Sequence, residues 1–302
     1  MVGRPHRSLL GMFKAELIKR LRRIESYAEL YRLLETDDAL RSLCIISEGE
    51  KPYHPSILLR FRRRIGPEGF QYLMNRLIKQ LDRIGILDSE TLVLDATFIK
   101  AYSQRDPNDN SRGYSDSEAR LRKQGRNVVL GYGVHLAVDA SSEMPLAVTV
   151  EPANVNEKKV APPLLHKVMK KHRWKSLVAD SQYSSEAFRD QARSLGVMPV
   201  IPYPRNQMRG KQVLRIDRRF RSHGPSRLRR LYRKRSAVER VVSRLKTHYE
   251  LCQLRTRGLR NVLSHVLLCL LALLATALSA IKHGHTDKMQ SPIQLIKLTG
   301  PK

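Results

Sequence analysis

Glu239 is a lone acid in YRKRSAVERVVSRLK (Tyr232 to Lys246), the most basic stretch of a chain with 56 Lys and Arg against 28 Asp and Glu. Read as one helix, the stretch places Tyr232, Arg235, Glu239 and Lys246 within about 60° of one another, with Val238, Val241, Val242 and Leu245 on a separate apolar face. The plainest reading of the acid is a surface ion pair with Arg235, four residues before it. Two aspartates suggest more. Asp95 ends the apolar run of LVLDAT and Asp180 ends that of SLVAD, and ligands of open sheets gather beyond such strand ends. Any one of these acids alone is an ordinary cap or turn residue. Three that converged would repel each other unless a cation lay between them, and hard carboxylate oxygens suit Mg²⁺ or Mn²⁺. Two such ions about 4 Å apart support in-line displacement at phosphorus.

The elements that would have to bring the acids together follow from periodicity. From about Met12 to Leu87 apolar residues recur at three- and four-residue spacing, which predicts helices. Within that region Ser56 is the expected N-cap of a short helix, Ile57 to Ile65, that carries Arg60, Arg62, Arg63 and Arg64. This helix suits either a DNA groove or a solvated surface. After Ser89 the pattern becomes β: a strand from Thr91 to Leu94, a polar loop from Ser103 to about Gly125, and a hairpin made by NVVLGYGVHLAVDA and MPLAVTVEPA. Then follow a helix from Lys158 to His172, a strand to Asp180, a helix capped by Ser184 or Ser185 and stopped at Gly196, and a last strand in VMPVIPYP. A basic segment from Arg205 to Arg230 leads into the helix of Glu239. The order is β-β-β-α-β-α-β and a helix, with an antiparallel start and right-handed parallel crossovers.

A formal charge of +28 over 302 residues exceeds what solubility needs and points to a polyanion partner, nucleic acid first. Cys44, Cys252 and Cys269 lack metal-ligand spacing, so free buried thiols in a reducing compartment are expected, with neither disulfides nor a zinc site. Val262 to Ile281 is long enough to cross a bilayer, but Ser264, His265, Thr276 and Ser279 interrupt it, and the preferred reading is a helix buried within the protein. His265 is then a satisfied core or helix-end residue. His135, Asp139 and Asn154 are expected to serve hydrogen bonding at sheet ends, and Tyr183 to pack beneath Asp180.

The chain resembles the bacterial insertion-sequence transposases of the DDE type, in the branch whose third acid lies within Tyr-x2-Arg-x3-Glu-x6-Lys. Here Tyr232, Arg235, Glu239 and Lys246 match every spacing. Asp95 in LVLDAT resembles that family's first acid, and Asp180 with Tyr183 its Asp-x-x-Tyr motif. GYGVHLAVD, PLAVTVEPANVNE and HPSILLRFRRRI are similar to further family segments. Gln182 stands where a glycine is frequent, and Asn156-Glu157 where many relatives have His-Asp.

The resemblance implies an α/β fold: a ribonuclease-H-like mixed sheet flanked by helices, with an N-terminal all-helical domain. Residues 1–86 would be the helical, DNA-binding domain, 87–285 the catalytic domain with the basic segment 205–231, and 286–302 a tail. It further implies two Mg²⁺ (or Mn²⁺) ions held by Asp95, Asp180 and Glu239, cleavage at transposon ends to expose a 3′ hydroxyl, and attack of that hydroxyl on target DNA. Tyr232, Arg235 and Lys246 would contact DNA at the cleaved bond and Arg60, Arg62, Arg63 and Arg64 would grip it elsewhere. The partners implied are the terminal inverted repeats, target DNA and a second copy of the chain, in the bacterial cytoplasm at the nucleoid and away from membrane. The alternatives are an inactive, DNA-binding or repressor copy and a basic protein anchored in a membrane by residues 262–281.

Overall fold

The computed structural model describes residues 7–105, 113–170, 172–204 and 226–294. Most of the basic segment 205–230, part of the polar loop 103–125 and the end of the tail lie outside the described residues. The chain forms two compact units: residues 1–74, 245–256 and 260–302 make one, and residues 75–244 with 257–259 make the other.

The first unit is helical. Ser8 caps α1 (Leu9–Leu21), Ser26 caps α2 (Tyr27–Thr36) and Asp37 caps α3 (Asp38–Leu43), each with a side-chain oxygen that accepts an otherwise orphaned backbone N–H. The next helix, α4 (Pro55–Arg83), starts two residues earlier than Ser56 as cap requires. His54 offers its carbonyl to the amides of Ile57 and Leu58, and Pro55 occupies the first helical position, where its fixed φ fits and its missing N–H costs nothing. The helix does not stop at Ile65. It kinks at Gly66, whose φ of 63° and ψ of 175° are open to glycine, and Pro67 restarts it.

The same unit contains most of α9 (Leu259–Lys282), the apolar segment long enough to span a membrane, and 83% of its apolar window is buried in the protein. The preferred sequence reading of this segment therefore holds. His265 is buried and meets the Leu251 carbonyl at 3.3 Å, with burial holding its imidazole well below its ordinary pKa. Of the three free thiols Cys44 and Cys269 are buried, whereas Cys252 is exposed, contrary to the expectation that all would be buried.

Charge is also buried in this unit. Glu16, fully enclosed, accepts from Arg20 Nη1 at 2.9 Å and from the Tyr27 hydroxyl at 2.9 Å, and Tyr27 in turn accepts from Arg62 at 3.0 Å. Beside them Lys19 meets Glu250 at 2.9 Å and donates to the Ile24 carbonyl.

The second unit is a mixed sheet with helices packed on it. Its strands are β1 (Thr91–Lys100), β2 (Arg120–Gln124), β3 (Asn127–Asp139), β4 (Pro145–Pro152), β5 (Ser176–Ala179) and β6 (Met198–Val200). Across the sheet the order is β4, β3, β1, β5, β6, with β2 beside the first half of β3. β1, β3 and β4 are antiparallel and β5 and β6 join parallel to β1, which is the ribonuclease-H-like order. Helices α5 (Glu157–Met169) and α6 (Glu186–Ser194) make the crossovers on either side of β5, with Asn156 and Ser185 as caps. α7 (Ser226–Arg233) and α8 (Ser236–His248) follow β6.

Strand β2 lies in what the sequence presents as polar loop. Its residues, RLRKQ, carry little apolar signal because most are exposed, and Gly125 with φ 59° turns the chain back into β3.

Candidate active site

The register of the sheet sets two of the three acids side by side. β1 and β5 pair in parallel from Thr91↔Ser176 to Leu94↔Ala179, so Asp95 and Asp180 are the next residues on adjacent strands, whose spacing is about 4.8 Å. Alternation puts Val93 and Asp95 on one face and gives Val178 and Asp180 the matching phase. Asp95 does not end its strand, as the sequence suggested: β1 continues to Lys100, held by β3, with Asp95 opposite Leu136. What ends at Leu94 is the pairing with β5, and Asp95 stands where an antiparallel neighbour remains and the parallel one leaves. That is the switch point at which a sheet edge opens. Asp180 caps the short 3₁₀ turn Ser181–Tyr183 and accepts from the Ser181 amide and hydroxyl.

The third acid arrives on α8. Tyr232 to Lys246 is not one helix: α7 ends at Arg233, Lys234 and Arg235 form a turn, and α8 begins at Ser236. The junction is closed by three-residue bonds, Arg235 N–H to Tyr232 C=O at 3.0 Å and Val238 N–H to Arg235 C=O at 3.2 Å, so the single-helix projection fails across it. Within α8 the apolar face is largely as expected: Val238, Val241 and Leu245 are buried and Val242 is half-buried. Glu239 lies in its first turn, where a carboxylate suits the helix dipole, and Lys246 is exposed seven residues further on.

Arg235 joins the acids. Its Nη1 donates to Asp95 Oδ2 at 2.9 Å and its Nη2 to Glu239 Oε1. The anticipated i,i+4 ion pair thus exists, but as half of a bridge between two candidate ligands. Burial pushes the Asp95 carboxyl up to about 6; the Ala96 amide and Arg235 pull it down, while Asp180 and Glu239 push it further up. Burial also opposes the charge of Arg235, and Asp95 and Glu239 overcome it, so its pKa is raised.

Among the described residues no three His, Cys, Asp or Glu side chains stand at metal-binding spacing. The site nevertheless fits a divalent cation by its chemistry: the acids supply hard oxygens, and the position between Asp95 and Glu239 already holds a positive group, the guanidinium.

Glu143 is a site residue that the sequence did not reveal. It lies in the β3–β4 turn with φ 59°, is 5% exposed, and binds Arg240 Nε at 2.6 Å and Arg244 Nη2 at 2.5 Å. Both arginines are on α8, so this one carboxylate fixes the helix that carries Glu239. An exposed-looking acid in SSEM gave no sign of that pairing. Lys234 adds a bond from the α7–α8 turn to Thr91 Oγ1 at 3.2 Å.

The supporting residues behave largely as the sequence suggests. Asp139, fully buried, closes the β3–β4 turn by accepting from the Ser142 amide and hydroxyl. His135, pushed down to about 4 by burial, meets the Tyr183 hydroxyl at 3.1 Å, and both are buried below the sheet edge. Asn154 is exposed. Where the sequence departs from the common family pattern, Asn156 caps α5, Glu157 binds Arg122 at 2.8 Å and Gln182 is exposed. In the helical unit Arg60, Arg63 and Arg64 are exposed, while Arg62 is half-buried on Tyr27.

Residues 87–275, more than half of the chain, match the family described as Transposase DDE domain, and residues 1–64 match a transposase domain (DUF772). The chain belongs to the DDE-domain transposases. No curated protein matches it. Among solved structures it is similar to the piggyBac transposase in a synaptic complex with hairpin DNA, at 10% identity over 97% of this chain and 73% of that one, with a TM-score of 0.45. It is also similar to a simian T-cell lymphotropic virus intasome chain, at 17% identity over 61% of this chain with a TM-score of 0.33, and spans only 48% of that chain's length. For the catalytic core of BIV integrase the values are 10%, 59% of this chain, 81% of that one and 0.31.

Proposed function

We propose that this transposase cuts DNA at the ends of its element with the aid of divalent metal and joins the freed 3′ hydroxyl to target DNA. The observation that carries this reading is the pairing of Asp95 and Glu239 on the Arg235 guanidinium at the open edge of the sheet, with Asp180 following the matching register position on the neighbouring strand. The three acids would hold Mg²⁺ or Mn²⁺ ions, two by the logic of in-line displacement. Bound there, the metal would lower the pKa of the attacking hydroxyl and offset charge on the leaving oxygen.

The chain's own groups do the rest. The β1–β5 register fixes Asp95 and Asp180 before substrate arrives, so little reorganisation is needed. Glu143 holds α8, and with it Glu239, in place. Arg235 and Lys246 contact phosphates next to the cut and Tyr232 orients the strand by stacking or hydrogen bonding. In the helical region, residues 1–86, exposed Arg60, Arg63 and Arg64 grip the backbone of the terminal repeat, while Arg62 holds Tyr27. Residues 87–285 form the catalytic region and 286–302 a tail. The acting species is a homodimer on DNA, since two ends must be processed together, and it works in the bacterial cytoplasm on nucleoid DNA.

The decisive variant is Glu239→Gln. Binding to the element's ends should persist while metal-dependent nicking disappears. Nicking at the wild-type rate would remove Glu239 from the ligand set, and an inactive wild-type protein that still binds ends would support the repressor reading.

A further inference from the structure

We infer that Arg235 is a built-in placeholder for the metal: its guanidinium keeps Asp95 and Glu239 together in the unloaded site and is handed over to a DNA phosphate when a divalent cation takes its place. This rests on the reading of those acids as metal ligands. The supporting geometry is the two-pronged bridge, one Nη to each acid, made by a side chain that is itself 25% exposed. Arg235 sits in a turn between two helices, where a side chain can swing without unwinding either.

Nor is the bridge sealed, because Glu239 remains 52% exposed at its outer end and water or a cation can reach it. Without Arg235 the facing carboxylates would repel, and with metal present the same arginine would be a like charge beside it. Exchange resolves both conflicts. It also makes metal and DNA binding cooperative, since a loaded site frees a planar, always-charged donor that suits phosphate.

Bridged protein is not competent to bind metal, so the apparent dissociation constant is the intrinsic one divided by the unbridged fraction. Lysine separates bridging from simple charge repulsion, because Arg235→Lys keeps the charge and loses the fork. Mn²⁺ binding to the full chain without DNA, followed by the spin-resonance signal of free Mn²⁺, should tighten at least about threefold in Arg235→Lys and more in Arg235→Gln. Equal affinity in Arg235→Lys and wild type, or weaker binding in either variant, would overturn the placeholder. The Arg235 side-chain ¹⁵Nε signal should also move when Mg²⁺ is added to the wild-type protein, and an unmoved signal would overturn it equally. Glu239→Gln tests the underlying reading separately. Loss of Mn²⁺ binding there supports the ligand set, and wild-type affinity would end both ideas whatever Arg235 does.

Discussion

Two of the acid–arginine clusters among the described residues are made from the same groups and differ in what surrounds them. In the helical unit Glu16 and Arg20 are enclosed, Glu16 is shared with Tyr27, and Tyr27 with Arg62. In the sheet unit Asp95, Arg235 and Glu239 form a chain of similar length whose outer member is about half exposed. A closed cluster has no exchange partner and its charges can only hold structure; an open one can trade its cation for another. Exposure, more than the identity of the residues, separates a structural ion pair from a site.

Neutralising one acid in each cluster should break the comparison most visibly. Glu239→Gln is expected to abolish nicking and to change unfolding free energy by less than about 1 kcal/mol, because an exposed pair contributes little. Glu16→Gln is expected to do the reverse, costing about 3–5 kcal/mol in denaturant melts by stranding the buried Arg20 charge while the surviving folded protein still cuts DNA. Equal stability losses in the two variants would erase the distinction.

Next in size is Glu143→Asn. Asparagine tolerates the positive φ at that position but cannot hold two arginines, so α8 should loosen and Mn²⁺ affinity should fall by about 10–100-fold, as for other residues that orient ligands. Calorimetric titration would show this, and unchanged affinity would mean that Glu239 is placed without help from the β3–β4 turn.

pH gives a smaller and smoother effect. Because burial raises the Asp95 carboxyl to about 6 from an ordinary 3.8, the folded protein holds a proton there that the unfolded chain has already lost. Stability from this group is present in full below pH 3.8 and is lost as pH rises through about 6, while metal, which needs the carboxylate, gains. Mn²⁺ affinity should therefore climb as pH rises toward about 6, by at most tenfold per unit, and level off above. A flat profile between pH 5 and about 7 would contradict the role of Asp95.

The smallest effect separates arginines on one helix. Arg63→Ala should reduce the salt slope of end binding by about 0.9 with stability unchanged, as loss of one phosphate contact requires. Arg62→Ala should leave the slope alone and lower stability instead, since its partner is Tyr27.

Much of this was readable before the fold was known. Asp95 and Asp180 announced themselves as acids after apolar runs, and parallel pairing of those runs is what sets them side by side. The valine face of α8 also followed from periodicity, and the buried character of α9 from the polar residues that interrupt its apolar run. What escaped was set by contacts distant in sequence or by local backbone choices that leave no pattern. The turn at Lys234 and Arg235 interrupts a stretch with good helical periodicity, α4 starts at Pro55 instead of after a Ser56 cap, and the partners of Glu143 lie about a hundred residues away. In sequence Arg62 is indistinguishable from its basic neighbours, and only the fold brings it to Tyr27.

Central to the proposed reaction is that Asp95, Asp180 and Glu239 together hold the divalent metal. Loading the protein with Fe²⁺ in place of Mg²⁺, starting radical chemistry with ascorbate and peroxide, and mapping the backbone breaks by mass spectrometry tests it directly. The account predicts breaks clustered at all three positions, on β1, after β5 and in the first turn of α8, and competed away by excess Mg²⁺. Breaks that spare any one of the three, or that Mg²⁺ does not suppress, would contradict it.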